Sequence, residues 1–584
     1  MSFASLHRFL RRVACGLRPY PAVLVYSGQY ACEVPALPGD ARRGEHIITF
    51  LAMEGLARRG ALRWPQPVSI ASLARVHSDS YLDSLNSAGA MTAITGLALA
   101  PREEDRYLEQ QRAMTGGTVL ATRLALAGRS PAINLGGGLH HAHADRGEGF
   151  CVFNDVAVAI RGLRETGFAE RILVLDLDVH DGNGTRSIFA SDSTVHTFSI
   201  HNQHWGPTEA VASTAIALGD GVTDGTYLTA VREHVPGIVR SFRPGLVYFL
   251  AGTDPAKTDA LGNWNITPEG MLARDQLVFQ EVRAALGDVP LVVLLAGGYG
   301  SETWRYSARS FGWLLSGGRV IEPPSTTEIV LRRYRYLASF IDSAELMTDP
   351  HENDFGLSER DLLPGTGYEG GSSRFLNFYS AHGLELALER VGFLTRLRGM
   401  GFEPHLSLEL DDPSGDTLRI FGSPGHGELV VELKVRRDRR LLPGFELLSV
   451  EWLLLQNPRL AFTPERPSLP GQKHPGLGLL REVIALLVLA CDRLGLDGFV
   501  YVPSHYHVAA QSERQVKFLF PNDRAHFEAI RTAVAGLPLG EASQKVARGD
   551  LLDPNAAPLL WRSMPMAVPV SERMKLRFTP RAES

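Results

Sequence analysis

In the stretch ILVLDLDVHDGNG, residues 172–184, two carboxylates and an imidazole leave the end of an apolar run: Asp176, Asp178 and His180. If the chain stays extended, the three share one face, because side chains alternate along a strand. Carboxylates crowded on a buried face repel one another and are costly to strip of water, so they demand a compensating cation. Aspartate oxygen and neutral imidazole nitrogen are good zinc ligands, and a hydrolytic zinc takes three protein ligands and keeps one position open. LVYFLAGTDP offers Asp254 as the third ligand, again just beyond an apolar run. PAINLGGGLHHAH ends in glycines followed by His140 and His141, adjacent imidazoles suited to proton transfer near neutral pH. VVLLAGGYG presents Tyr299, whose phenol can donate a hydrogen bond to a developing oxyanion. Gly182 and Gly184 permit a tight turn into the next helix. The plainer alternative is a loop in which Asp176 or Asp178 only caps that helix.

The elements that must hold these groups are legible as apolar runs: AVLVY, PAINL, RILVLDLD, VHTFSI, LVYFLAG and LVVLLAGG. Their near-continuous Val, Ile and Leu suits strands covered on both faces. Helix-like segments separate them, at Leu108 to Ala127, Asp155 to Arg164, Pro268 to Ala285 and Glu302 to Leu315. This alternation predicts an α/β domain over residues 1–320, built on a parallel sheet. In such sheets ligands bind beyond the carboxyl ends of the strands, where all four chemical stretches fall. GGRVIEPPSTTE then reads as a linker, and a linker and irregular segment is expected over 321–373. Residues 374–584 read as an α+β domain: a helix near Leu384 to Arg398, strands HLSLEL, TLRIFG, ELVVELKV and ELLSVEWLLL, a helix Leu477 to Leu494, a strand GFVYVP and a helix near Ala525 to Ala535.

Length supports at least two domains, since 584 residues exceed one ordinary core. With 44% hydrophobic residues, 21% charged residues and a net charge of -5, the composition is that of a soluble globular protein and argues against nucleic acid as a partner. Cys15, Cys32, Cys151 and Cys491 lie far apart and form no CxxC pair, which points to a reducing cytoplasm. The basic, amphipathic start, MSFASLHRFLRRVACGLRPYP, reads as a surface helix, and no apolar run reaches the ~20 residues of a membrane span.

GGGLHHAHADRGEGFCVFND, DLDVHDGNG, AGTD and AGGYG, in this order, resemble the zinc-dependent histone deacetylase family, with its class IV branch and bacterial relatives nearest. The resemblance covers roughly Tyr20 to Gly318 and implies an arginase-like α/β fold with a central eight-stranded parallel sheet. It implies one zinc ion on Asp178, His180 and Asp254, His141 as general base and then acid, His140 as its electrostatic partner, and Tyr299 polarising the scissile carbonyl. Asp176 would orient His140, while Asn183 stands where many relatives have an aspartate behind the other histidine, which implies a lower pKa for His141. Gly138, Gly149, Phe150 and Trp205 would bind substrate in the acyl channel, and Arg43 would line a cavity beneath it. Ser199, Asp176, Asp178 and the carbonyls of His180 and Ile200 fall where the family binds a structural potassium ion. The implied substrate is an acylated lysine of a protein or an acylated small amine such as a polyamine, with acyl length open.

In the second domain, LPGQKHPGLGLLREV, with Lys473, Gly476 and Gly478, weakly resembles the acyl-CoA-binding turn of GNAT acetyltransferases. That implies acyl-CoA as a partner of this domain; a glycine-proline helix entry with no ligand is the alternative. Tyr501, His505, Tyr506 and His507 form a polar aromatic cluster nearby in sequence. Two rival classes weigh less. An arginase-type ureohydrolase needs a DxHxD metal motif, where this chain has DVHDG, and a non-enzymatic acyl reader would be expected to lose Tyr299 or a ligand.

Overall fold

Strands buried on both faces need unbroken apolar runs, and five of them supply the centre of the first sheet: β1 (Val23–Val25), β3 (Ala132–Asn134), β4 (Ile172–Asp176), β7 (Leu246–Leu250) and β8 (Leu291–Leu294). β2 (Leu62–Arg63), β5 (Val195–His201) and β6 (Ser213–Ala217) complete an eight-stranded sheet in the order β2-β1-β3-β8-β7-β4-β5-β6, parallel throughout. This computed structural model describes residues 22–348 and 374–578, except residues 33, 35–36, 58, 129, 411, 426, 464–466, 513–515 and 553–556. The expected N-terminal surface helix, Cys15 and the polar stretch 349–373 therefore lie outside the described residues. Cys32, Cys151 and Cys491 are buried free thiols. No helix among the described residues is long and apolar enough to cross a membrane.

Amphipathic helices cover the sheet, among them Pro101–Gly128, Asp155–Glu165, Asp224–Phe242, Pro268–Leu286 and Trp304–Ser316. They start where side chains can take up orphan amides: Asn154 accepts from the Ala157 N–H, and Thr267 from the Gly270 N–H, with Pro268 at the first helical position. Asp224–Phe242 was not legible as a helix, and Pro236 inside it shows why.

The chain divides into two compact units, residues 1–329 and 330–584. The expected linker departs from the structure over its described part, which forms helices Thr326–Ala338 and Ser343–Met347. Ile329, Val330, Tyr334 and Leu346 are buried there, so apolar spacing outweighs the prolines that precede it.

The second unit holds a seven-stranded sheet in the order β14-β15-β13-β12-β11-β10-β9. Strands β9 (His405–Glu409), β10 (Asp416–Phe421), β11 (Leu429–Asp438) and β12 (Leu447–Leu455) form an antiparallel meander. The chain then crosses through helix Leu480–Leu494 to β13 (Gly498–Tyr501), which runs parallel to β12. β14 (Lys517–Phe518) and β15 (Met566–Pro569) close the order antiparallel. The single helix expected near Leu384 to Arg398 is two, Ala381–Arg390 and Phe393–Gly399, parted at Gly392 with φ +83°, a left-handed conformation that glycine adopts without strain.

Candidate active site

Four strands stand side by side in the order β3-β8-β7-β4. Asn134, Leu294, Leu250 and Asp176 lie in one row across their carboxyl ends. Each strand hands the chain to one chemical stretch: the histidine pair after β3, Tyr299 after β8, Asp254 after β7, and Asp178 with His180 after β4. Backbone bonds carry the sheet's order into these loops, from Leu177 N to Leu250 O (3.1 Å), Ala251 N to Leu294 O (2.9 Å) and Ala296 N to Gly137 O (3.1 Å).

The three residues expected on one strand face reach the site differently. β4 ends at Asp176, and the chain then folds back on its own carboxylates. Asp176 Oδ1 accepts from the Asp178 N–H at 3.1 Å, and Asp178 Oδ1 from the His180 N–H at 3.0 Å. These local bonds replace the sheet ladder and point the side chains of Asp178 and His180 toward β7. Gly182 and Gly184 have no positive φ, so conformational freedom is not why they are glycines. Space is: a Cβ on Gly184 would stand 2.5 Å from the carbonyl oxygens of His141 and Ala142, and one on Gly182 would stand 2.7 Å from Asp176 Oδ2.

Asp178, His180 and Asp254 converge. His180 Nδ1 lies 3.1 Å from Asp178 Oδ1 and 3.0 Å from Asp254 Oδ2. Backbone amides take further lone pairs, Gly297 N–H to Asp178 Oδ2 at 2.7 Å and Val179 N–H to Asp254 Oδ1 at 3.0 Å. Glycines wall the group tightly: a Cβ on Gly297 would meet Asp254 Oδ2 at 2.2 Å, and one on Gly252 would meet Asp178 Oδ2 at 2.4 Å. Two buried carboxylates and one imidazole, aimed at a common point, make a donor set that fits a zinc ion. Burial lowers the His180 pKa, but hydrogen bonds donated to Asp178 and Asp254 overcome it and push the imidazole up to about 11. Burial, then the charge of Asp178, pushes Asp254 up to about 7.

Beside this group stand the two imidazoles. His140 Nδ1 meets Asp176 Oδ2 at 2.6 Å, His141 Nδ1 meets Asn183 Oδ1 at 2.8 Å, and the two Nε2 atoms are 3.1 Å apart. Burial works against a charge on His140, but Asp176 and Asp178 outweigh it and raise its pKa to about 9. His141 lies well below the usual imidazole range, through burial first and then the neighbouring His140. The pair is thus split into one imidazole that keeps a proton and one with a free lone pair.

A cavity of about 190 Å³ is lined by both histidines, Asp178, Gly138, Gly149, Phe150 and Tyr299. Gly149 and Phe150 take left-handed φ of 53° and 67°, and a Cβ on Gly149 would strike the His141 ring at 2.5 Å. A Cβ on Gly138, itself at φ +79°, would strike Ala296. The rings of Phe150 and Tyr299 are 6.0 Å apart. Burial, then Asp254 and Asp178, holds the Tyr299 phenol well above its ordinary pKa, so it stays a donor. Arg43, also in the cavity lining, is buried and donates to the carbonyls of Leu295 (2.6 Å), Ala296 (3.1 Å) and Gly297 (3.1 Å), pinning the chain that leads to Tyr299. Trp205, expected as the opposite channel wall, lies flat on His141 at 4.3 Å and 7°, and its ring is steeply inclined to that of His180 at 5.4 Å. Ser199 is registered beside Asp176 on β5, its hydroxyl 2.7 Å from His201 Nδ1.

Sequence reasoning missed the braces. Asp155 accepts from the amides of Gly138 (3.0 Å) and Leu139 (2.7 Å), Asp259 from the Tyr299 N–H (2.6 Å), and buried Arg274 donates to the carbonyls of Leu177 (3.2 Å) and Gly252 (2.6 Å). Their partners are distant backbone groups, for which sequence carries no signal.

With this geometry in place, comparisons agree on one family. Residues 37–314 match the histone deacetylase domain. The chain is 32% identical over 314 residues to histone deacetylase 2 of Arabidopsis thaliana, covering 52% of this chain and 80% of that one. It is 34% identical over 288 residues to an uncharacterized protein of Picosynechococcus, covering 47% of this chain and 91% of that one. To histone deacetylase 8 of Danio rerio it is 28% identical over 315 residues, covering 50% and 81%.

Proposed function

The chain belongs to the histone deacetylase family, and from that premise we propose that it is a zinc-dependent deacylase that hydrolyses the amide of an acylated lysine or a related acylated amine. The observation that carries the reading is the convergence of Asp178, His180 and Asp254 beside a proton-poor His141 and a protonated Tyr299. Asp178, His180 and Asp254 would hold the zinc, which when bound supplies a Lewis acid that activates water and polarises the acyl carbonyl. His141 takes the proton of the attacking water at Nε2 and returns it to the leaving amine. His140, kept charged by Asp176, steadies the negative charge that develops next to it. Tyr299 donates its phenolic proton as a hydrogen bond to the same oxyanion. Phe150 and its neighbours exclude water from the acyl group.

Replacing Tyr299→Phe should cut turnover by roughly two to three decades, about 3–4 kcal/mol, while metal binding persists. A screen of acyl-lysine peptides and acylated polyamines, each with short and long acyl groups, reads both the activity and the substrate class. Full turnover in Tyr299→Phe, or hydrolysis of none of these amides by the metal-loaded chain, would contradict the reading.

One observation favours a second ligand. β12 and β13 are the one parallel pair in the described second sheet, and the helix between them starts at Leu479 with no side-chain cap, after Gly478 at φ +72°. A glycine turn leading into such a crossover helix suits a pyrophosphate, which supports acyl-CoA binding beside Lys473 and Gly476 in this unit. Calorimetric titration with acetyl-CoA tests it; no heat at millimolar ligand rules it out.

A further inference from the structure

The amide of Asn183 does not end the hydrogen-bond chain that begins at Asp176. Its Nδ2 donates to Glu148 Oε2 at 3.0 Å, while its Oδ1 faces His141 Nδ1 at 2.8 Å. Three groups, His140, His141 and Asn183, are thereby strung between two carboxylates, Asp176 and Glu148.

The direction of every proton in this chain follows from its ends. A carboxylate only accepts, so His140 Nδ1 carries a proton toward Asp176, and the amide nitrogen of Asn183 must be the atom facing Glu148. The amide oxygen is then left to face His141, and an oxygen there can only accept, so Nδ1 of His141 holds the proton. The lone pair of His141 is consequently on Nε2, the atom that stands 3.1 Å from His140 Nε2. Without Glu148 the acceptor left near Nδ2 is His143 Nε2 at 3.4 Å, too long to hold the amide, which could turn over and present its nitrogen to His141; that moves the proton of His141 to Nε2 and occupies the atom needed as base. An aspartate in place of Asn183 has two equal oxygens and would need no such anchor.

The backbone of Glu148 is fixed in place. Its backbone exchanges both hydrogen bonds with Cys151, at 3.1 and 2.8 Å, across the left-handed turn of Gly149 and Phe150. Its carboxylate, 38% exposed, lies 3.2 Å from His143 Nε2, an atom that also accepts from Arg146 at 3.0 Å. The amide itself is buried.

We propose that Glu148 is a positioning residue for the hydrolysis: it fixes the orientation of the Asn183 amide and, through it, the tautomer of His141. This rests on reading His141 as the proton acceptor. Glu148→Ala should lower kcat by about tenfold or more with KM unchanged, whereas Glu148→Gln, whose carbonyl still accepts from Asn183, should keep most of the activity. In an Asn183→Asp background the penalty for removing Glu148 should shrink below about twofold or reverse, because the anchor has nothing left to orient. A merely structural role would cost the same in both backgrounds, and that outcome overturns the proposal, as does full activity in Glu148→Ala. ¹⁵N resonances of the histidine rings give a readout independent of turnover. Glu148→Ala should convert His141 from the Nδ1–H form to a mixture, and an unchanged Nδ1–H form would overturn the proposal even if no amide substrate is found. A wild-type chain that hydrolyses no acyl amide but keeps the Glu148-dependent tautomer would sink the deacylase reading alone.

Discussion

His180 sets the terms on which a metal enters. Asp178 and Asp254 hold its pKa up at about 11, so near neutral pH the imidazole is protonated until a cation takes its place. The metal-free site therefore binds more protons than the loaded one, and affinity must rise with pH up to that value. Zinc titrated at pH 7 in buffers of different ionisation enthalpy should release protons, and binding should strengthen between about pH 6 and 8. Binding that is indifferent to pH, with no proton released, would contradict the ligand assignment. At this scale the sequence was most legible: Asp178, His180, Asp254, the histidine pair and Tyr299 each follow an apolar run, and their types name their chemistry. Glu148 sits in a glycine-rich turn and meets Asn183 from 35 residues away, a contact that only the fold creates.

Elements that are apolar throughout were equally readable, because burial on both faces leaves no choice of residue type. The edge strands were not. β2 is two residues long, and β6, STAIA, is only half-buried and lacks a strongly apolar run. In the second sheet β14 is only two residues long and β15, MAVP, is short, and the attachment of β15 depends on a polar clasp. Asp497, just before β13, accepts from the Glu446 N–H (2.9 Å), the Ser571 hydroxyl (2.6 Å) and Arg573 Nε (2.5 Å), joining three distant parts of the chain. The Arg573 guanidinium leads in pulling its pKa down to about 2. A carboxylate depressed in the folded state stabilises it fully above the unfolded value near 4 and ceases to as pH falls toward 2. Melting of the second unit should therefore be level above about pH 5 and decline between about pH 4 and 2, and Asp497→Asn should lower it at neutral pH and flatten that decline. An unaltered acid profile in Asp497→Asn would remove the clasp from this account.

For the whole molecule, the boundary between units matters to the site itself. Trp304, fully buried, donates its indole N–H to Thr326 Oγ1 at 2.7 Å, and Thr326 donates to Ser301 O at 2.5 Å, just after Tyr299. A chain cut at residue 320 loses that acceptor, while one cut at 329, where the first unit ends, keeps it. An unsatisfied buried donor costs about 1–3 kcal/mol, so residues 1–320 should melt roughly 1–5 °C below residues 1–329. Equal melting points would mean that Thr326 braces nothing. The central claim, that one metal held by Asp178, His180 and Asp254 makes this fold a hydrolase, is tested most directly by returning zinc to the chelated full-length chain while following hydrolysis of an acyl-lysine peptide. Activity should be absent without metal and rise linearly to a break at one equivalent, and it should stay absent in Asp254→Asn. Undiminished hydrolysis by the metal-free chain, or by Asp254→Asn, would contradict it.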